Sequence, residues 1–187
     1  MQLTDPPLAT RILLFILAGT AAAFDIRTRR IPNWLTVAGA AAGLLVNTWL
    51  FSWAGLRDAA VGIVLALLVY LPLVWLRGMG AGDAKLMAAI GALSGPANWL
   101  AVFALSGLLG GVMGLALALW KRRLRNTLAS TAELAGELGR LRKPHERKQE
   151  WDVRQGAGLR LPYGLVIASG VAAFLLLSRA WPVRYNP

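Results

Sequence analysis

The sequence predicts an all-α fold: a polytopic membrane protein in which residues 1–187 form a single membrane-embedded domain. Hydrophobic residues make up 57% of the chain, charged residues make up 16%, and the mean hydropathy is +0.54. These values are too apolar for a water-soluble domain of this length. The apolar residues also occur in long runs between short polar segments, which is the pattern of helices that cross a lipid bilayer.

The composition restricts the chemistry that the chain can perform. Cysteine is absent, which excludes disulfides, thiol nucleophiles and cysteine-ligated metals. The single histidine, His145, lies in a charged segment, so we expect no metal and no cofactor. The net charge is +11, and in a membrane protein such an excess indicates orientation and contact with anionic lipid rather than nucleic acid.

Three predicted transmembrane helices occupy the first half of the chain, at residues 8–24, 34–53 and 59–76. The first is expected to be retained, because residues 1–10 lack the basic segment of a signal peptide. Residues 25–33 carry three arginines and a proline and are therefore expected to leave the membrane, with Asn33 as the N-cap of the second helix. A tight loop at residues 54–58 is expected to separate the second helix from the third.

Three further predicted helices follow, the first of them short. The run from 84 to 93 is interrupted by Ser94-Gly95-Pro96, whereas a full crossing needs about 20 residues. We expect a short helix that its neighbours shield and whose entrance is a polar cavity. The fifth helix ends at Trp120, and the sixth covers residues 161–177. Between them, residues 121–160 form a long basic loop whose leucines are spaced for an amphipathic helix at the membrane surface; a substrate-docking role is the alternative.

Lys and Arg are distributed unevenly about the six predicted helices. Sixteen of the 20 flank one side, and only Arg11, Arg57, Arg179 and Arg184 flank the other. The positive-inside rule therefore predicts a cytoplasmic (inner) membrane protein with both chain ends outside and the basic loop in the cytoplasm. In this arrangement Asp25 and Asp83 both reach the cytoplasmic face.

These two aspartates are the candidates for catalysis, because the other seven acidic residues fall in outer or solvated segments. Two neighbouring carboxyl groups cannot easily both ionise, so they hold a shared proton. Such a pair can activate water and protonate a leaving amine, which is amide hydrolysis without metal or covalent intermediate. Glycines at 78, 80 and 82 leave the backbone before Asp83 open to a second chain.

Several alternatives remain open on the residues alone. Asp83 is also suited to cap a helix that starts at Ala84, and Asp25 to pair with Arg27 or Arg29. Lys85 is most simply a cation that reaches the membrane surface. A non-enzymatic transporter or assembly protein with proton-carrying aspartates is the alternative for the whole chain.

Three motifs resemble those of the type IV prepilin peptidases, a family of GxGD-type aspartic peptidases. Residues 80–86, Gly-Ala-Gly-Asp-Ala-Lys-Leu, are similar to the GxGD-x-K-L signature. Residues 25–33 resemble the segment around the family's first aspartate, which ends in Ile-Pro-Asn. Residues 161–164, Leu-Pro-Tyr-Gly, resemble the Pro-Tyr/Phe-Gly motif before the last helix. The motifs keep their order on a six-helix plan that covers nearly the whole chain.

The resemblance implies an aspartic endopeptidase that removes basic leaders from prepilins and pseudopilins at the cytoplasmic membrane face. By position, Asp25 and Asp83 become its catalytic pair. The implied partner is the substrate's apolar helix, cut after a preceding glycine. Residues expected along the substrate's approach are Gly78, Gly80, Gly82, Lys85, Pro162, Tyr163 and Gly164.

One departure concerns methyl transfer. Bifunctional members carry a CxxC-containing domain between the first two helices, whereas here that connection is only residues 25–33 and cysteine is absent. The chain therefore resembles short forms without the N-methyltransferase domain, such as the peptidases of Flp/tight-adherence (Tad) pili or archaeal preflagellin peptidases. A presenilin-like protease shares GxGD but has Pro-Ala-Leu where this chain has residues 161–164.

Overall fold

The structure is a computed structural model that describes residues 6–76, 79–120 and 163–180. All regular structure in these ranges is helical: α1 is Leu8–Thr28, α2 is Asn33–Trp75, α3 is Ala81–Trp120 and α4 is Tyr163–Ala180. The predicted all-α class is confirmed. The predicted basic loop at residues 121–160 lies outside the described residues.

Three of the helices, α1, α2 and α3, are long and apolar enough to cross a membrane, and α4 is a shorter apolar helix. Their outward faces carry large exposed hydrophobic side chains such as Phe15, Val37, Leu68 and Leu176. Exposed apolar surface on this scale would be costly in water, and it suits helices whose outer face meets lipid.

Helix α2 is interrupted at Ser52, which has a left-handed backbone (φ 54°, ψ −137°). The chain reverses direction there. Gly43 before the break and Gly62 after it both pack on the same turn of α3, at Gly91 and Ala92. The predicted loop at residues 54–58 was wrong, since these residues are helical. The returning helix begins early because Gly55, lacking a Cβ, packs directly on the carbonyl of Asn47.

Helix α3 is interrupted at Gly95 (φ 71°, ψ 172°), as Ser94-Gly95-Pro96 predicts. Beyond the break the chain folds back, and the indole N–H of Trp99 donates to the carbonyl of Met87 at 3.0 Å. Residues 81–94 thus form a short helical segment. It starts three residues earlier than predicted because the N–H groups of Asp83 and Ala84 already donate to the carbonyl of Gly80.

This short segment of α3 is the centre of the molecule. Every residue from Ala84 to Leu93 is buried except Lys85. Glycines allow α2 to approach it closely: Gly62 and Gly91 touch backbone to backbone, and a Cβ on Gly43 would lie 2.6 Å from the backbone of Ala92. The expectation of a short helix shielded by its neighbours is confirmed.

A side chain of α2 donates hydrogen bonds to the carbonyl groups at the end of the buried segment. In a regular helix the carbonyl of Ala92 would accept the N–H of residue 96, but Pro96 has none. The side-chain amide of Asn47 donates to Ala92 at 2.8 Å and to Leu93 at 3.1 Å instead. Asn47 therefore pairs carbonyl groups that the break in α3 leaves without a helical partner.

Candidate active site

Asp25 lies in the last turns of α1 and is 91% buried. Its Oδ2 accepts the backbone N–H of Gly164 at 2.7 Å, so the first turn of α4 holds its carboxylate. A Cβ on Gly164 would lie 2.8 Å from the Cβ of Asp25 and 3.0 Å from its Oδ2. Only glycine at position 164 therefore permits this contact without a shift of α1 or α4.

Asp83 lies in the first turn of α3 and is equally buried. Its carboxylate turns back over Gly80, whose backbone N–H it accepts. A Cβ on Gly80 would lie 2.9 Å from Asp83 Oδ2. Because α3 begins at Ala81, Asp83 does not cap a helix that starts at Ala84; it occupies the third helical position, from which an acid can reach back to the residue before the helix.

The two aspartates approach one another although they come from different helices. Asp25 lies close enough to act electrostatically on Asp83. The phenols of Tyr163 on α4 and Tyr70 on α2 also lie within electrostatic range of Asp83. All four helices thus contribute to one site, in which Asp25, Tyr70 and Tyr163 lie within electrostatic range of Asp83.

The chain between α1 and α2 closes over the start of α3. Ile31 packs against Gly82, whose Cβ, if present, would lie 3.4 Å from that of Ile31. The ammonium group of Lys85 donates to Oδ1 of Asn33 at 2.9 Å. The prediction of Asn33 as an N-cap was wrong, because α2 starts at Asn33 itself and no side chain caps it. Its side chain is used to join α2 to α3.

Of the residues predicted along the substrate's approach, Gly80, Gly82, Lys85, Tyr163 and Gly164 all lie around the two aspartates. Gly78 and Pro162 lie outside the described residues. Contact of any of them with substrate stays a prediction.

Sequence reasoning missed Tyr70. Its only signal is a single phenol within the apolar run that becomes the second half of α2. In the structure Tyr70 is buried and packs edge-on against Trp99 and Phe103, with ring centroids 6.3 and 5.9 Å away. Tyr70 lies within electrostatic range of Asp83 and, with Phe103, lines a cavity of about 380 Å³ between α2, α3 and α4.

The site offers few metal ligands. No group of three or more His, Cys, Asp or Glu side chains with the spacing of a metal site occurs in residues 6–76, 79–120 and 163–180. The two carboxyl groups instead suit proton transfer to and from a water molecule and an amide.

Comparison with known proteins extends this description. Curated relatives include proteins named prepilin leader peptidase/N-methyltransferase from Burkholderia pseudomallei strain 1026b (36% identity over 110 residues, 55% of this chain and 35% of the relative) and Aeromonas hydrophila (35% over 119 residues, 60% and 40%). A third, from Pseudomonas putida, is 35% identical over 109 residues (54% and 36%). The chain therefore spans well under half the length of these relatives. No solved structure matches.

The profile of the type IV leader peptidase family matches residues 12–115, more than half of the chain. The matched region contains both aspartates, the glycines before Asp83, the connection at residues 29–32 and the interruptions in α2 and α3. On this match the chain belongs to the type IV leader peptidase family.

Proposed function

We propose that the chain is a membrane-embedded aspartic endopeptidase that removes the leader peptide of prepilin-like substrates at the cytoplasmic face of the inner membrane. The observation that supports the proposal is that two buried carboxyl groups, Asp25 and Asp83, lie within electrostatic range of one another in a member of this family. The relatives' names, which specify prepilin leader peptidases, support the substrate class.

In the proposed reaction the aspartates share one proton. The ionised carboxylate removes a proton from water as the water oxygen attacks the carbonyl carbon of the scissile peptide bond. The protonated partner donates to the carbonyl oxygen, and collapse of the tetrahedral species passes a proton to the leaving amine. One water is consumed and the pair regains its shared proton. The Gly164 N–H, which binds Oδ2 of Asp25, fixes that carboxylate and leaves Oδ1 for the water.

The membrane arrangement forms part of the proposal. The breaks at Ser52 and Gly95 divide α2 and α3 into two helical segments each, which together with α1 and α4 supports six spans. Arg27, Arg29 and Arg30 lie at the aspartate end of α1, whereas Arg11 lies at the other end. This asymmetry supports a cytoplasmic location for the active site.

The decisive experiment replaces each aspartate by asparagine in purified, detergent-solubilised protein. We expect wild type to cleave a prepilin peptide at its glycine junction, and Asp25→Asn and Asp83→Asn each to lower kcat by at least about 10³-fold, because asparagine keeps the shape but cannot exchange protons. The cleavage products are quantified by mass spectrometry, and melting temperatures confirm folding.

Asp58→Asn is the matched control, since Asp58 is exposed at the other end of the bundle and pairs only loosely with Arg57 at 3.5 Å. It should retain wild-type activity. The Asp83→Asn variant also tests the alternative that Asp83 only stabilises the start of α3. An asparagine side chain still accepts the Gly80 N–H, so a role limited to holding the start of α3 would leave Asp83→Asn active.

A further inference from the structure

We propose that the cavity between α2, α3 and α4 binds the apolar segment of the substrate that immediately follows the scissile bond. This inference rests on the proposed peptidase function and adds the place where the retained part of the substrate docks. The cavity measures about 380 Å³ and includes Tyr70 and Tyr163, the two residues whose phenols lie within electrostatic range of Asp83. Tyr163 also directly precedes Gly164, whose N–H binds Asp25, so the cavity adjoins the candidate catalytic pair.

The lining of the cavity determines which part of the substrate it suits. Its walls are formed by apolar side chains, among them Leu73, Met79, Phe103, Val166 and Ile167. No charged side chain of the described residues lines it. A basic leader would find no acid there and would lose its hydration. An apolar helix, by contrast, gains close packing without that cost.

The glycines on the second half of α3 fall into two groups, according to whether a Cβ would meet another residue. At Gly110 a Cβ would lie 2.8 Å from the side chain of Val166, so the fold itself needs glycine there. At Gly107 and Gly111, four residues apart, a Cβ would meet no described atom within 4 Å. Internal packing of the described residues therefore does not require glycine at these two positions. What their missing side chains provide is open volume along one face of α3, where another helix can approach closely.

A polar group next to this volume also lacks a partner. Ser106, which lines the cavity, is 5% exposed, and its hydroxyl makes no hydrogen bond with any described residue. Polar groups buried in this way normally find a partner. The Ser106 hydroxyl instead packs against Gly170 of α4, where only the missing Cβ leaves room for it, so Ser106 belongs to the contact between α3 and α4.

The first test fills the open volume. Gly107→Leu and Gly111→Leu should each lower kcat/KM for a prepilin that carries its apolar segment by at least about tenfold, because the leucine occupies the docking face. Melting temperatures should stay near the wild-type value, since the side chain enters unoccupied space. Gly19→Leu is the matched control: a Cβ on Gly19 also meets nothing within 4 Å of the described residues, but Gly19 lies on α1 away from the cavity.

The second test detects docking without cleavage. Because the chain contains no cysteine, Gly111→Cys and Gly19→Cys each introduce a unique thiol. In the Asp83→Asn background, a substrate with one cysteine just after the scissile bond should form a disulfide with the thiol at 111 and not with that at 19. A cysteine placed in the basic leader should react with neither.

The outcomes of the two tests distinguish failure of the docking site from failure of the proposed peptidase function. Equal activity of the Gly111→Leu and Gly19→Leu variants, or disulfides that do not distinguish positions 111 and 19, would overturn the docking site while cleavage by wild type upheld the peptidase. Absence of any disulfide at position 111 would also overturn the proposal. Failure of wild type to cleave, with the disulfide at 111 still formed, would overturn only the peptidase.

Discussion

Asp25 depends on a glycine that follows it by 139 positions in the chain. The sequence identifies both residues through their motifs, and both motifs predict the site. The sequence does not show why position 164 is glycine, because the requirement comes from the short distance between α1 and α4. Asp83 is different, since its partner Gly80 is only three residues away and the glycine-rich pattern suggests their contact. Local motifs therefore predict which residues form the site, and tertiary packing determines how they are held.

At this scale we predict that Gly164→Ala impairs cleavage while the protein still folds. The added methyl group would lie 2.8 Å from the Cβ of Asp25, an atom that side-chain rotation cannot move, so α4 and α1 must shift apart. A displacement of this kind in a catalytic group lowers kcat by about ten- to a hundredfold. Steady-state kinetics and thermal melting measure the two effects. Gly19→Ala, which meets open space, should match wild type; a wild-type kcat for Gly164→Ala would remove the close contact from the mechanism.

The sequence predicts the interruption in α3 much better than the interruption in α2. Gly95 next to Pro96 combines a residue tolerant of positive φ with one that lacks an N–H, so the break in α3 follows from local chemistry. Ser52 carries no comparable signal. The prediction placed the turn at residues 54–58, but Arg57 and Asp58 are exposed and lie within a helix. The early return of the helix depends on the contact between Gly55 and Asn47, which no local pattern specifies.

At the scale of the element we predict that Asn47→Leu destabilises the protein by about 1–3 kcal/mol, because it leaves the buried carbonyl of Ala92 without a donor. Unfolding in a denaturing detergent series measures the change. Thr48→Val is the control: the Thr48 hydroxyl is exposed and donates only to Leu44 in its own helix, at 2.6 Å. Its loss should cost no more than about 0.5 kcal/mol. Equal stability of the two variants would mean that Asn47 does not support the end of the short helix.

For the whole molecule, composition alone determines the helical class and the lipid environment, and three of the helices have the length and apolarity of membrane spans. The electrostatic proximity of Asp25 and Asp83 could be anticipated from the six-span arrangement and from the motif resemblance, but from neither residue alone. The sequence does not predict that α3 is the helix that the glycines of α2 contact, because a glycine in an apolar run does not reveal which helix it will meet. The basic loop at residues 121–160 stays a prediction, because it lies outside the described residues.

At this scale we predict that the connection between α1 and α2 and the break in α2 face opposite compartments. Single substitutions Arg30→Cys and Arg57→Cys introduce unique thiols at exposed positions. In intact cells, a membrane-impermeant maleimide should label Arg57→Cys, and Arg30→Cys only after lysis. Labelling of Arg30→Cys in intact cells with protection of Arg57→Cys would reverse the proposed orientation and place the aspartates outside.

The backbone contacts at Gly43, Gly62 and Gly91 affect how genetic data on this protein should be interpreted. Any side chain added at these positions meets main-chain atoms of the facing helix. A saturation screen that scores loss of the proposed leader-peptide cleavage would therefore find inactivating substitutions at these glycines as readily as at the aspartates. Immunoblots of each variant distinguish the two groups: glycine variants should be depleted from the membrane fraction, and aspartate variants should accumulate normally alongside unprocessed substrate.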